Sequence, residues 1–115
     1  MLSRKIMKKL LFVCSQNRLR SPTAEHLFAN RAGFETASAG LNNGADEPLS
    51  IELIEWADII FVMENVHRRK LSNKFQTHLK DKRVICLDIP DDYEYMQPEL
   101  VELLEQKVER ILGSC

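Results

Sequence analysis

The chain has 115 residues, 44% of them hydrophobic and 29% charged, which allows one domain with one core and excludes disordered, collagen-like and coiled-coil classes. Sixteen Lys plus Arg against seventeen Asp plus Glu leave a formal charge of −1, so no whole-protein field draws the chain to nucleic acid or an anionic membrane. Any anion it binds must be held locally. The longest apolar run, Leu10 to Cys14, is too short for a membrane span or a signal-peptide core, and the chain reads as cytoplasmic. Cys14, Cys86 and Cys115 are odd in number and widely spaced, which suits reduced thiols and fits no zinc spacing, so neither metal nor cofactor is expected.

In chain order, residues 1 to 8 are basic and off-pattern and read as an N-terminal tail of a single 1–115 domain. Leu10 to Cys14 is a buried parallel strand opening into a polar loop. Ser21-Pro22 signals a helix start, with Ser at the N-cap and Pro at the first helical position. Its buried stripe is Ala24, Leu27 and Phe28, and it ends near Ala32 before Gly33. Phe34 to Ala39 is a second strand and Gly40 to Pro48 a loop, after which Ser50 caps a short helix carrying Ile51, Leu53, Ile54 and Trp56. Ala57 to Met63 is a third strand, ended by Glu64-Asn65. Val66 to Leu79 is a helix with Arg68, Arg69, Lys70 and Lys74 as its solvated face. Arg83 to Leu87 is the fourth strand, Asp88 to Tyr95 an acidic loop, and Pro98 to Leu112 a final helix burying Leu100, Leu104, Val108 and Ile111.

Strands alternating with helices, with no hairpin signal, predict an α/β fold: a four-stranded parallel sheet with helices on both faces. Ligands of such sheets sit at the carboxyl ends of the strands, so the loops after Cys14, Ala39, Met63 and Leu87 share the edge where chemistry is sought. On that edge a cysteine is followed after five residues by arginine and then serine: Cys14, Ser15, Gln16, Asn17, Arg18, Leu19, Arg20, Ser21. A loop of that length between strand and helix can turn its backbone N–H groups inward as a nest for a phosphate-sized dianion, with the helix dipole behind them and Arg20 closing it as a bidentate fork. The same field favours the thiolate of Cys14, the nucleophile that phosphoryl transfer through a covalent intermediate requires.

Leu11-Phe12-Val13-Cys14, Arg20 through Glu25, Ser38-Ala39-Gly40 and Ala57 through Met63 together resemble the low-molecular-weight protein tyrosine phosphatases, over most of the chain. The resemblance implies Cys14 as nucleophile forming a cysteinyl-phosphate, Arg20 gripping the phosphate, Ser21 donating to the Cys14 sulfur and Asn17 holding the loop in shape. The substrate would be a phosphorylated protein or a small phosphomonoester. It also implies an aspartate as general acid in the loop before the last helix. Alignment of Ile89-Pro90-Asp91 makes Asp91 the candidate, with Asp88 and Asp92 as runners-up and an acidic surface turn as the plain alternative.

Several positions depart from the family pattern. Asp92 stands where the family has proline after the acid, and Arg18 puts a second cation in the loop, facing either substrate or solvent. Leu19 replaces the second loop cysteine of many members, so no intraloop disulfide can form. Residues 40 to 49 lack the aromatic that often walls the tyrosine pocket, leaving Tyr93 and Tyr95 as candidates, and the chain is shorter than typical members. Three alternatives use the same loop: an arsenate reductase, which needs further cysteines for a relay; a phosphocysteine carrier, which needs no acid; and a non-catalytic phosphate or phosphoprotein binder. Cys86 is expected in a buried strand and Cys115 at a frayed end. His26 reads as a helix residue near the loop, His67 and His78 as surface positions. The sequence leaves the oligomeric state open.

Overall fold

A computed structural model describes residues 8–15, 19–29, 31, 33–42 and 44–112. The elements run β1 (Lys8–Cys14), α1 (Arg20–Ala29), β2 (Phe34–Gly40), α2 (Ile51–Trp56), β3 (Ile59–Val62), α3 (Asn65–Phe75), β4 (Arg83–Cys86) and α4 (Pro98–Leu112), with a 3-10 turn, Gln76–Leu79, extending α3. The four strands form one parallel sheet in the order β2-β1-β3-β4. Central β1 pairs on both sides, Phe12 lying opposite Ser38 of β2 and Phe61 of β3. That position explains its unbroken apolar run, since both faces are covered.

Side-chain alternation sorts the core into two layers. Leu10, Phe12 and Cys14 turn toward α1 and α4, and the Phe12 ring stacks on Phe28 and Phe61 at centroid distances of 5.9 and 5.2 Å. Leu11 and Val13 turn toward α2 and α3, meeting Ile54 and Leu71. On α4, Leu100, Leu104 and Val108 repeat every four residues on one face and are fully buried, each contributing roughly 1.5–3 kcal/mol.

Several boundaries differ from the sequence expectation. Lys8, assigned to the tail, is the first residue of β1, paired with Phe34; residues 1–7 lie outside the described residues. Helix α1 begins at Arg20, not after Ser21, and runs to Ala29; Ala32 lies outside the described residues, and Gly33 adopts φ +91 in the turn into β2. Strand β3 is shorter than Ala57 to Met63 because Ala57 closes α2, its N–H donating to Leu53 O and Ile54 O. Ser50 does cap α2, accepting from Leu53 N at 3.2 Å. Cys86 is only half-buried, because β4 is an edge strand. With all strands parallel, the segments after Cys14, Gly40, Val62 and Cys86 leave from one edge.

Candidate active site

Cys14 ends β1 at that edge, 3% exposed, with its Sγ 2.9 Å from the Ser21 hydroxyl. The helix start makes this contact possible. The N–H and hydroxyl of Thr23 both donate to Leu19 O, at 3.1 and 2.6 Å, so Leu19 takes the N-cap place predicted for Ser21. Ser21 therefore sits inside the first turn, with its hydroxyl 2.9 Å from the thiol. Pro22 lies deeper in the same turn, where its missing N–H is still not required.

Arg20 is 4% exposed and gathers the edge around itself. One terminal nitrogen donates to Glu64 Oε1 and to the Ile89 carbonyl, each at 2.8 Å, while Nε lies 3.7 Å from Asp91 Oδ1. Three chain segments thus meet on one guanidinium: the loop after β1, the turn after β3 and the loop after β4. Anchoring one nitrogen to two fixed acceptors sets the plane of the fork.

His67, predicted at the surface, is fully buried. It precedes Leu71 by four residues and so shares the inward face of α3. Its Nδ1 accepts from the backbone N–H of Glu64 at 3.0 Å, and its Nε2 lies 2.9 Å from the Ser15 hydroxyl. A backbone N–H can only donate, so Nδ1 is bare and Nε2–H donates to Ser15 Oγ. Burial, followed by the Arg20 cation and opposed by Glu64, lowers the His67 pKa to about 4, which keeps the ring in the neutral form this geometry needs. Glu64 and His67 are the members of the site that sequence reasoning missed. A usable signal was present: an acidic residue at the end of a core strand, with a side chain three places on that can reach back to its N–H.

The acidic loop is bracketed by two non-glycine residues with left-handed backbone, Asp88 (φ 57) and Met96 (φ 59). Asp91 is exposed beside Arg20. Asp88 lies elsewhere: it lines a cavity of about 250 Å³ with Cys86, Lys107 and Arg110, and its carbonyl accepts from Lys107 Nζ at 3.3 Å. Asp92 is exposed. Tyr93 packs on the core, whereas Tyr95 is exposed and meets the His26 ring edge-on at 6.5 Å. Ser15 and Leu19 are placed at the two ends of the loop, and Gln16, Asn17 and Arg18, like Cys115, lie outside the described residues. Among the described residues, no three His, Cys, Asp or Glu side chains are grouped to hold a metal ion, and no helix is long and apolar enough to cross a membrane.

No family model matches the sequence, and no curated protein matches it. Solved structures do. A low-molecular-weight protein tyrosine phosphatase from Streptococcus pyogenes is 18% identical, over 94% of this chain and 93% of that one, with a TM-score of 0.76. The tyrosine phosphatase Wzb from Escherichia coli K30, in complex with phosphate, is 21% identical over 95% and 99%, with a TM-score of 0.74. A cysteine-to-serine variant of the YwlE arginine phosphatase, with a phosphorylated active-site serine, is 25% identical over 91% and 95%, with a TM-score of 0.69. The parallel sheet with a cysteine and an arginine at its carboxyl edge therefore defines a protein of phosphatase-like architecture. More narrowly, the chain has the fold of the low-molecular-weight protein tyrosine phosphatases.

Proposed function

We propose that the protein is a phosphomonoester hydrolase that acts through a cysteinyl-phosphate intermediate, with phosphotyrosine in proteins as its substrate. The observation that carries this reading is the buried Cys14–Ser21 pair on the same edge as the clamped guanidinium of Arg20. A site that only bound an anion would gain nothing from a thiol, because its ionisation would repel the ligand. The matched solved structures support a phosphatase at the level of the fold, and one of them bears phosphate on a serine put in place of a cysteine.

In this reading the Cys14 thiolate attacks phosphorus while the Ser21 hydroxyl donates to the sulfur. Arg20 is held by one terminal nitrogen, so it presents its other edge, Nε and the second terminal nitrogen, to two phosphoryl oxygens. Asp91 lies on that same edge. As the P–O bond breaks, the Asp91 carboxyl protonates the leaving oxygen. The resulting carboxylate then takes a proton from water, which attacks phosphorus, breaks the S–P bond and releases inorganic phosphate. A disulfide relay through Cys86 is disfavoured: β4 is two strands from β1, about 10 Å away, and Cys86 packs with the opposite core layer from Cys14.

The deciding experiment is hydrolysis of para-nitrophenyl phosphate between pH 5 and 8 in EDTA, wild type beside Cys14→Ser. Turnover that survives chelation and is lost in a folded variant is expected; turnover retained by the variant ends the covalent mechanism. Phosphotyrosyl and phosphoarginyl peptides assayed alongside separate the two substrate types named for the matched structures.

A further inference from the structure

A cavity of about 330 Å³ lies between the segment after β2 and helix α3, lined by Leu41, Asn42, Lys70, Asn73 and Lys74. Both of its walls are joined to the start of the candidate phosphate loop. The N–H groups of Leu41 and Asn42 donate to the carbonyls of Cys14 and Ser15, each at 3.0 Å, and α3 is tied to Ser15 through His67 at 2.9 Å. Lys70 follows His67 by three residues and Lys74 follows Lys70 by four, so both continue up the helix face that borders the loop. The cavity therefore neighbours the segments bonded to Cys14 and Ser15, the residues that begin the loop.

Its chemistry is one-sided. Two lysines, two asparagines and a leucine line it, and among the described residues neither Lys70 nor Lys74 forms an ion pair. Among the described residues, the walls are bridged by Lys74 Nζ donating to Leu41 O at 3.3 Å. Arg68, on the same helix, is instead engaged by the Val84 carbonyl. Two cations one turn apart repel each other, and an anion placed between them removes that repulsion. The loop after β4 has the opposite character, with Asp88, Asp91, Asp92 and Glu94 all exposed. Beyond Glu64, which is bonded to Arg20, the α3 side thus offers Lys70 and Lys74, and the opposite side offers Asp91.

We propose that the cavity lined by Lys70 and Lys74 is a specificity subsite that binds a carboxylate side chain flanking the phosphorylated residue of a protein substrate. The proposal rests on the phosphatase reading above, and its test keeps the two apart. Three substrates are compared: para-nitrophenyl phosphate, which has no flank, and two phosphotyrosyl peptides that differ only in having Glu or Gln at the flanking positions. The enzymes are wild type, Lys70→Ala/Lys74→Ala and Lys70→Glu/Lys74→Glu. The readout is kcat/KM for each peptide, normalised to the same enzyme's turnover of para-nitrophenyl phosphate.

Wild type is expected to prefer the Glu peptide by about five- to tenfold, the scale of two solvent-exposed ion pairs, and the preference should shrink as NaCl is raised from 50 to 300 mM. It should vanish in the alanine variant and reverse in the glutamate variant. Equal rates on the two peptides in wild type, or a Glu preference that survives both variants, overturns the subsite while leaving the phosphatase reading in place. No turnover of para-nitrophenyl phosphate by wild type overturns the phosphatase reading and the subsite with it.

Discussion

The floor of the strand edge and its rim are held in place differently. On the floor, Cys14, Arg20, Ser21 and His67 are buried and bonded to one another's segments: Cys14 to Ser21, Arg20 to Glu64 and Ile89, His67 to Ser15 and Glu64. On the rim, Asp91 is 64% exposed and Tyr95 49%. The segment that carries them is tied down mainly at its ends, by Ile89 N to Met63 O and Met96 N to Thr23 Oγ1. A floor residue is fixed by several partners at once, so replacing it strands buried polar groups and is felt in both stability and chemistry. A rim residue acts through its position, and its loss should be felt in chemistry alone.

The largest effect is expected at Arg20. Lysine offers a point charge, which cannot hold Glu64 and the Ile89 carbonyl and also present a planar edge to phosphate. Arg20→Lys should lower kcat/KM on para-nitrophenyl phosphate by on the order of 10³ and stability by about 1–3 kcal/mol. Urea unfolding beside the assay checks both. Activity within tenfold of wild type would mean the guanidinium is not the phosphate clamp.

His67 gives the floor a pH signature. In the fold its pKa is lowered to about 4 by burial and by Arg20, while the unfolded chain takes up the proton near the ordinary value of 6.5. Between those values the unfolded state binds more protons. The His67 contribution is therefore complete above pH 6.5 and is lost as pH falls toward 4, by roughly 3 kcal/mol in total. Urea midpoints at pH 7, 5.5 and 4.5 should show the decline, and His67→Gln, which cannot titrate, should remove most of it. A slope unchanged in the variant would put the acid sensitivity elsewhere.

The same division governs what the sequence discloses. The apolar runs of β1 and β3 and the four-residue repeat of Leu100, Leu104 and Val108 are periodic signals, and the structure places those elements where periodicity does. Cys14 and Arg20 are legible because their spacing from a strand end to a helix start is itself the geometry of the loop. His67 is legible only in part: its spacing from Glu64 and Leu71 is a local signal, but its bond to Ser15 is a contact across 52 residues that no local pattern encodes. Ser21 is half legible, since a serine before a proline fits an N-cap equally well until Leu19 is seen to fill that place. On the rim, residue type alone does not separate three aspartates within five residues; the resemblance singles out Asp91, and the fold puts Asp91 beside Arg20 and Asp88 beside Lys107.

Asp91→Ala sharpens the contrast from the rim side. A positioned acid contributes about 10²–10⁴-fold where the leaving oxygen is strongly basic and much less where it is not. The variant should lose at least about 10²-fold on phenyl phosphate and far less on para-nitrophenyl phosphate, with an unfolding midpoint within about 0.5 kcal/mol of wild type, as for an exposed residue. Equal losses on the two esters would remove Asp91 from the acid's role.

The smallest effect belongs to Asp88, which separates backbone from chemistry within the same loop. Its φ of 57 lies in the left-handed region, where a Cβ crowds the following carbonyl at a cost of roughly 1 kcal/mol, and aspartate tolerates it better than most residues because its side chain can bond locally. Asp88→Ala keeps the Cβ at a position that aspartate tolerates better than alanine, so it should lower stability by up to about 1 kcal/mol, whereas Asp88→Gly, free of the Cβ, should lower it less. Since Asp88 faces Lys107 and Arg110 and not Arg20, both variants should keep the wild-type ratio of rates on phenyl and para-nitrophenyl phosphate. A ratio that moves with Asp88 as it does with Asp91 would show that the two carboxylates act as one unit, and the line between floor and rim would then have to be redrawn around the whole acidic segment.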